Sequence, residues 1–348
     1  MAYISFNPNN YFRNKLHTGT GSAQSITFNE STNMTPDFIW VKRRESFNHR
    51  LIDSARGSSK FLSCNTTDAE GTDTAVISSF DTNGFSVGND TSVNASGGTY
   101  VSWNWKAGTT SGITTNGSTV ITPSAYSFSA TSGFSVVKYT GNGNTTTKVA
   151  HGLGAAPKWI IIKKTSAGGD NWTVYHIAAG NDTSLQLDNN GGTSGGSDRF
   201  YDVTPDTVNF TLGNHTSVNA SSATYIAYCF AEKSGFSSFG KYIGNASTNG
   251  PFIHCGFKPA WFMIKRIGSG YSWAMKDNKI NPNNPVSVEM YANDSSGDTA
   301  GSAIDFLSNG VKIRSNSGTY NHSGISYAYM AFAEEPFVAS NGDPATAR

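Results

Sequence analysis

Nucleophilic catalysis by Ser or Cys requires a His within hydrogen-bond reach and a third group that orients that His. The chain carries seven His, at His17, His49, His151, His176, His215, His254 and His322, and none lies in a Gly-x-Ser-x-Gly elbow or a comparable motif. No two His stand at i and i+4, and the acidic run Asp68-Ala69-Glu70-Gly71-Thr72-Asp73 lacks the ligand spacing of a calcium loop, so it reads as a solvated loop. Glycosidase chemistry would need two carboxylates about 5 to 10 Å apart. The acidic residues do not recur through the chain except at Asp53 and Asp277, whose counterpart is His176. Gly19-Thr20-Gly21 and Gly141-Asn142-Gly143 look like phosphate loops, but no Lys-Ser/Thr follows and no helix opens, so both read as turns. The sequence therefore predicts no catalytic residue, no cofactor and no metal site.

What recurs is a set of residues suited to contact. Basic pairs close three strands, at Lys42 and Arg43, Lys163 and Lys164, and Lys265 and Arg266. Such pairs either bind an anionic partner or solvate a strand end and blunt an exposed edge. Trp172 and Trp273 follow the second and third pairs and align on His49. An exposed Trp with polar neighbours stacks on a sugar or anchors an interface; the alternative is core packing, because Val174 and Met275 continue the alternation two residues later.

The element that carries these pairs is one strand written three times: Pro36-Asp37-Phe38-Ile39-Trp40-Val41-Lys42-Arg43, Pro157-Lys158-Trp159-Ile160-Ile161-Ile162-Lys163-Lys164 and Pro259-Ala260-Trp261-Phe262-Met263-Ile264-Lys265-Arg266. A continuous apolar run suits a strand buried on both faces, and an initial Pro need not donate to a ladder. Flanking blocks repeat in the same order. Lys15-Leu16-His17 is matched by Lys138-Tyr139-Thr140 and Lys241-Tyr242-Ile243, and Ser92-Val93-Asn94-Ala95-Ser96 by Ser217-Val218-Asn219-Ala220-Ser221. The period of about one hundred residues is a small domain, not a solenoid unit.

Composition agrees. The net charge is +1 and only 14% of residues are charged, which excludes a broad electrostatic footprint for nucleic acid or an anionic membrane. Thirty-seven Gly and 12% aromatics describe short strands joined by tight turns. Cys64, Cys229 and Cys255 make neither a disulfide framework nor a Cys-x-x-Cys site. The opening residues lack a secretory pattern and no segment approaches a membrane span, so the chain is expected to be made and kept in a cytoplasm.

The predicted architecture is all-β: three tandem antiparallel β-sandwich modules, jelly-roll or lectin-like, over residues 11–107, 133–233 and 235–337. Residues 1–10 form a leader whose Tyr3, Ile4 and Phe6 suit docking, 108–132 a Gly/Ser/Thr-rich linker with enough apolar residues to add an edge strand, and 338–348 a polar tail. Modules two and three are expected to be tightly coupled and the first more loosely. The closing strands are expected to turn Val101, Trp103 and Trp105 inward and Tyr100, Ser102 and Asn104 outward. Asn83-Gly84 signals a type I′ hairpin.

Phe6-Asn7-Pro8-Asn9-Asn10-Tyr11-Phe12, the repeated Pro-x-aromatic strand, Asp53-Ser54-Ala55-Arg56-Gly57, Asn83-Gly84-Phe85, Trp103-Asn104-Trp105-Lys106-Ala107-Gly108 and Tyr228-Cys229-Phe230-Ala231-Glu232 together resemble a family of repeated-module structural proteins of marine tailed bacteriophages. The resemblance spans nearly the whole chain and implies a non-enzymatic virion protein, tail-fibre-like, assembled in the host cytoplasm. Its implied partners are other virion proteins, further copies of the chain and possible host-surface glycans or receptors. Alternatives are a capsid decoration protein and, from another class, a carbohydrate-binding adhesin or depolymerase. Asp53 and Arg56 have no matching pair at His176 and Ala179, so they read as a local structural bond.

Overall fold

The computed structural model describes residues 6–268 and 270–335. The chain is nearly all β, built from several antiparallel sheets. Each sequence repeat lays down the same four strands in the same order. A lead strand (Phe12–Thr18, Phe134–Thr140, Ser237–Ile243) pairs with a closing strand (Thr99–Trp105, Thr224–Phe230, Ser326–Ala333). The closing strand pairs on its other side with the basic strand (Phe38–Arg43, Trp159–Lys164, Pro259–Arg266), which pairs in turn with a fourth strand (Arg50–Asp53, Thr173–His176, Ala274–Asp277). The basic strand is thus interior to its sheet, which is why both faces of its apolar run are buried.

One face of the four-strand unit meets a small second sheet in the first two repeats, and in the third it meets the far strands of its own continuous eight-stranded sheet. In the first repeat, Ile39, Val41, Ile52 and Tyr100 pack on Phe85 and Val87 of strand Gly84–Val87. Ile160, Ile162 and Tyr225 pack in the same way with Phe210 and Leu212, and Phe262, Ile264 and Tyr327 with Val311 and Ile313. These are sandwich cores.

The opposite faces share one core. Phe38, Trp40, Trp103 and Trp105 join Trp159, Ile161, Tyr228 and Phe230, and these join Trp261, Met263, Met330 and Phe332, in a single buried cluster. Rings from all three repeats touch at its centre: Trp105 to Trp261 at 5.9 Å, Trp159 to Trp261 at 6.3 Å, Trp105 to Phe230 at 6.0 Å and Phe230 to Phe332 at 5.7 Å. The series Val101, Trp103, Trp105 therefore points inward, but toward the neighbouring repeats. Tyr100, Ser102 and Asn104, expected outside, are buried as well.

The expected loose attachment of the first repeat is not found; it bonds to both of the others, as described below. The linker contributes Ala125–Ser129, an edge strand on Phe134–Thr140. Asn83-Gly84 does lie in a hairpin, but Asp81 pairs with Gly84, so the loop is Thr82-Asn83, and neither has the positive φ that type I′ demands. Gly84 is required for closeness: a Cβ there would lie 2.0 Å from the Ile26 carbonyl oxygen.

Candidate functional site

The positions that sequence reasoning singles out converge on the seams between repeats. Lys42, Lys163 and Lys265, expected at solvated strand ends, are buried. Their side chains lie on the shared-core face, and each Nζ donates to a backbone carbonyl of a neighbouring repeat: Lys42 to Ser295 at 3.3 Å, Lys163 to Thr67 at 2.9 Å and Lys265 to Asn190 at 3.1 Å. Further carbonyls, including Glu45, Asp170 and Tyr271, complete each ammonium's shell. Burial lowers all three Lys to about 8. A desolvated ammonium is tolerable here because several carbonyl dipoles replace water.

The neighbouring column behaves alike. His49 Nε2 meets the Tyr291 and Asp294 carbonyls at 3.0 and 3.2 Å, Trp172 Nε1 donates to the Ser63 and Thr66 carbonyls at 3.1 Å each, and Trp273 Nε1 donates to the Gln186 carbonyl at 2.7 Å. Trp172 and Trp273 are 0% exposed, as are all seven Trp. They are unavailable for stacking on a sugar; the apolar body fills the core and the indole N–H fastens a seam.

The third column is Asp53, His176 and Asp277. Asp53 Oδ2 accepts from the Tyr228 hydroxyl at 2.8 Å, His176 Nε2 lies 3.1 Å from the Tyr329 carbonyl, and Asp277 Oδ2 accepts from Trp103 Nε1 at 2.8 Å and Asn14 Nδ2 at 2.7 Å. Each reaches the closing strand of the next repeat, first to second, second to third and third to first. The three columns thus close a ring. Arg56 Nε, 2.6 Å from Asp53 Oδ2, makes the local ion pair expected, and its Nη2 also reaches Tyr228 at 3.2 Å. Tyr329 carries no signal that sequence reasoning used, and Tyr228, which aligns with Trp103, enters there only as part of the motif Tyr228-Cys229-Phe230-Ala231-Glu232.

The outer basic residues stay partly exposed and pair at home. Arg43 Nε is 2.9 Å from Glu45, Lys164 Nζ is 3.1 Å from Asp170, and the Arg266 guanidinium lies 4.5 Å from the Tyr271 ring centre. Of the docking residues, Tyr3 and Ile4 lie outside the described residues. Phe6 packs edge-on against Tyr11 at 5.1 Å and Phe236 at 5.3 Å.

The buried His side chains serve structure. Burial depresses His49 to about 3 and His151 and His176 to about 4, each bonded to backbone. His215 is 2.8 Å from the Ser217 hydroxyl and 4.0 Å from Asp198, which has the composition of a triad. Its geometry is that of a helix cap: His215 Nδ1 accepts from the Ser217 amide at the start of Thr216–Asn219, where Asp90 accepts from Ser92 at the start of Thr91–Asn94. Ser217 is buried, out of reach of a substrate. Among the described residues no group of three or more His, Cys, Asp or Glu is placed to hold a metal ion, and no helix is long and apolar enough to cross a membrane.

The Gly turns are equally occupied. Asn94 Oδ1 accepts from the Thr20 amide and Asn219 Oδ1 from the Asn142 amide, and the Gly21 and Gly143 amides donate to the Asn94 and Asn219 carbonyls. These amides are spent on the fold, as the turn reading requires.

A family model for a domain of unknown function, DUF7483, matches residues 7–336, and the chain belongs to that family. No curated protein matches the chain.

Proposed function

We propose that the chain is a non-enzymatic structural protein of a tailed-bacteriophage particle, tail-associated, which meets other virion proteins and the host surface as a rigid three-sided block. The observation behind this reading is the closed ring of seam contacts. Residue types that a catalytic or binding site would need, Lys, His, Trp and Asp, are used in three related columns to lock the repeats to each other. A block with three similar flanks suits a symmetric ring or fibre, because each flank can present a related surface to one subunit. The resemblance of the repeated motifs to virion proteins supplies the setting.

The carbohydrate-binding alternative rested on Trp172 and Trp273, whose burial removes its candidate contacts. Electron microscopy of purified particles labelled with antibody against residues 235–337 tests the proposal. Label on the tail or its fibres is the expected result. Label spread over the head replaces this reading with capsid decoration, and unlabelled particles that lack the protein by mass spectrometry overturn a virion role.

A further inference from the structure

Four Lys are buried among the described residues. Lys42, Lys163 and Lys265 meet backbone carbonyls at the seams, whereas Lys276 meets a carboxylate inside the third repeat. Its Nζ lies 3.2 Å from Glu289 Oε2 and donates to the Ser287 carbonyl at 3.1 Å, and the Lys276 and Glu289 side chains are 0% and 5% exposed. The Tyr320 hydroxyl donates to Glu289 Oε2 at 2.7 Å and the Tyr291 hydroxyl to Oε1. Glu289 packs so closely on strand Thr299–Leu307 that a Cβ on Gly301 would lie 2.0 Å from its Cδ. The carboxyl carbon is thus held in place beside the amine.

The other repeats fill the same places with apolar groups. Lys276 stands opposite Phe262 as Ile52 stands opposite Ile39 and Tyr175 opposite Ile160, and Ile52 and Tyr175 belong to their sandwich cores. Tyr320 precedes Asn321, whose Oδ1 accepts from the Asn245 amide; Val93 and Val218 precede Asn94 and Asn219, which accept from the Thr20 and Asn142 amides in the same way. The third repeat alone sets a Lys at the first of these places and a Tyr at the second, and both meet Glu289. Apolar residues of similar volume often match or better the stability of a buried ion pair, so stability does not account for the exchange.

We propose that Lys276 Nζ and Glu289 Cδ join in an intramolecular isopeptide bond, a covalent cross-link between strands Ala274–Asp277 and Val286–Tyr291. A proton passes from Nζ to Oε2 and leaves a neutral amine beside a carboxylic acid. An apolar site favours this uncharged pair, and burial lowers Lys276 to about 8 although Glu289 pulls the other way. The Nζ lone pair forms the bond to Cδ while Tyr291 donates to Oε1, where negative charge grows. The Cδ–Oε2 bond then breaks, Oε2 takes a second proton from Nζ, and one water leaves. Neither an oxidant nor a cofactor enters the balance. The link closes residues 276–289 into a loop and fixes the strand on which Asp277 fastens the third repeat to Trp103 of the first.

Mass spectrometry of the intact chain, held folded at pH 8, tests this. The expected mass is that of the sequence less one water. Trypsin should leave Lys276 uncut, and peptide 267–279 should be found joined to peptide 280–312. Lys276→Arg should restore the full mass, because a guanidinium does not condense with the carboxyl. A chain of full mass that is cut at Lys276 after melting cooperatively as wild type overturns the proposal. So does a loss of water that persists in Lys276→Arg or maps to other residues.

Discussion

The Tyr228 hydroxyl of the second repeat donates to Asp53 Oδ2 of the first at 2.8 Å, onto a carboxylate oxygen that lies 2.6 Å from Arg56 Nε. The Asp53 and Arg56 side chains are fully buried and Tyr228 is 0% exposed. Burial works against the Arg56 charge, and Asp53 together with its other neighbours, Glu70 among them, more than compensates, so the guanidinium is held above its ordinary value; burial pushes the Tyr228 phenol well up, so it remains a donor. Tyr228→Phe removes one donor and leaves the ion pair, for an expected loss of about 1 to 3 kcal/mol. Asp53→Asn removes the closer carboxylate and leaves the buried guanidinium with Glu70 alone, 3.3 Å from Nη1, for an expected loss of up to about 3 to 5 kcal/mol. Urea unfolding of the two variants and their combination should show losses that do not add, by about 0.5 to 3 kcal/mol. Additive losses would mean that the seam does not couple the two residues.

The shared core makes a second prediction. A repeat cut free at 108–233 would expose Trp159, Ile161, Tyr228 and Phe230, all buried against the other repeats. Aromatic side chains bury about 150 to 250 Å² each, so at about 25 cal/mol per Å² the exposed face loses several kcal/mol per large residue. That is comparable with the whole stability of a small domain. The full chain should therefore melt in one calorimetric transition whose van't Hoff and calorimetric enthalpies agree. Residues 108–233 expressed alone should show no cooperative melt. Three resolved transitions would show that the sandwich cores suffice without the common one.

The strands were legible because alternation and turn chemistry are local: the repeated apolar run lies in Phe38–Arg43 and the closing alternation in Thr99–Trp105. What those strands face was not legible. Alternation separates Trp103 and Trp105 from Tyr100 but cannot say that the first pair meets another repeat. In the sequence Lys42, Lys163 and Lys265 suit an anionic partner or a solvated strand end, because charged residues rarely lie inside without partners. Their partners are the backbone carbonyls of Ser295, Thr67 and Asn190, in three unlike loops, and a carbonyl leaves no trace in the residue type. The column of Asp53, His176 and Asp277 was visible as an alignment. Its meaning came only from the three closing strands that it meets.

The buried bases set the pH limits of the fold. Burial lowers His49 to about 3 and His151 and His176 to about 4 from an unfolded value near 6.5. Between those values the unfolded chain binds more protons than the folded one, so acid favours unfolding; the penalty is absent above about 6.5 and grows as pH falls toward the folded values. Each of these His contributes a slope of up to about 1.4 kcal/mol per pH unit. The Lys at the seams follow the same sign at higher pH. Their folded values of about 8, lowered chiefly by burial, lie below the unfolded 10.5, so each costs stability below about 8 and regains it as pH rises toward 10.5. Lys163→Met removes the charge and leaves the Thr67 and Asp170 carbonyls without this donor. Urea unfolding at pH 8 and pH 10 should show the cost of this substitution growing with pH, by up to about 1.4 kcal/mol per unit, because the wild-type chain recovers its lysine penalty and the variant has none to recover. A cost that shrinks between pH 8 and 10 would mean that the ammonium at this seam is held by net attraction.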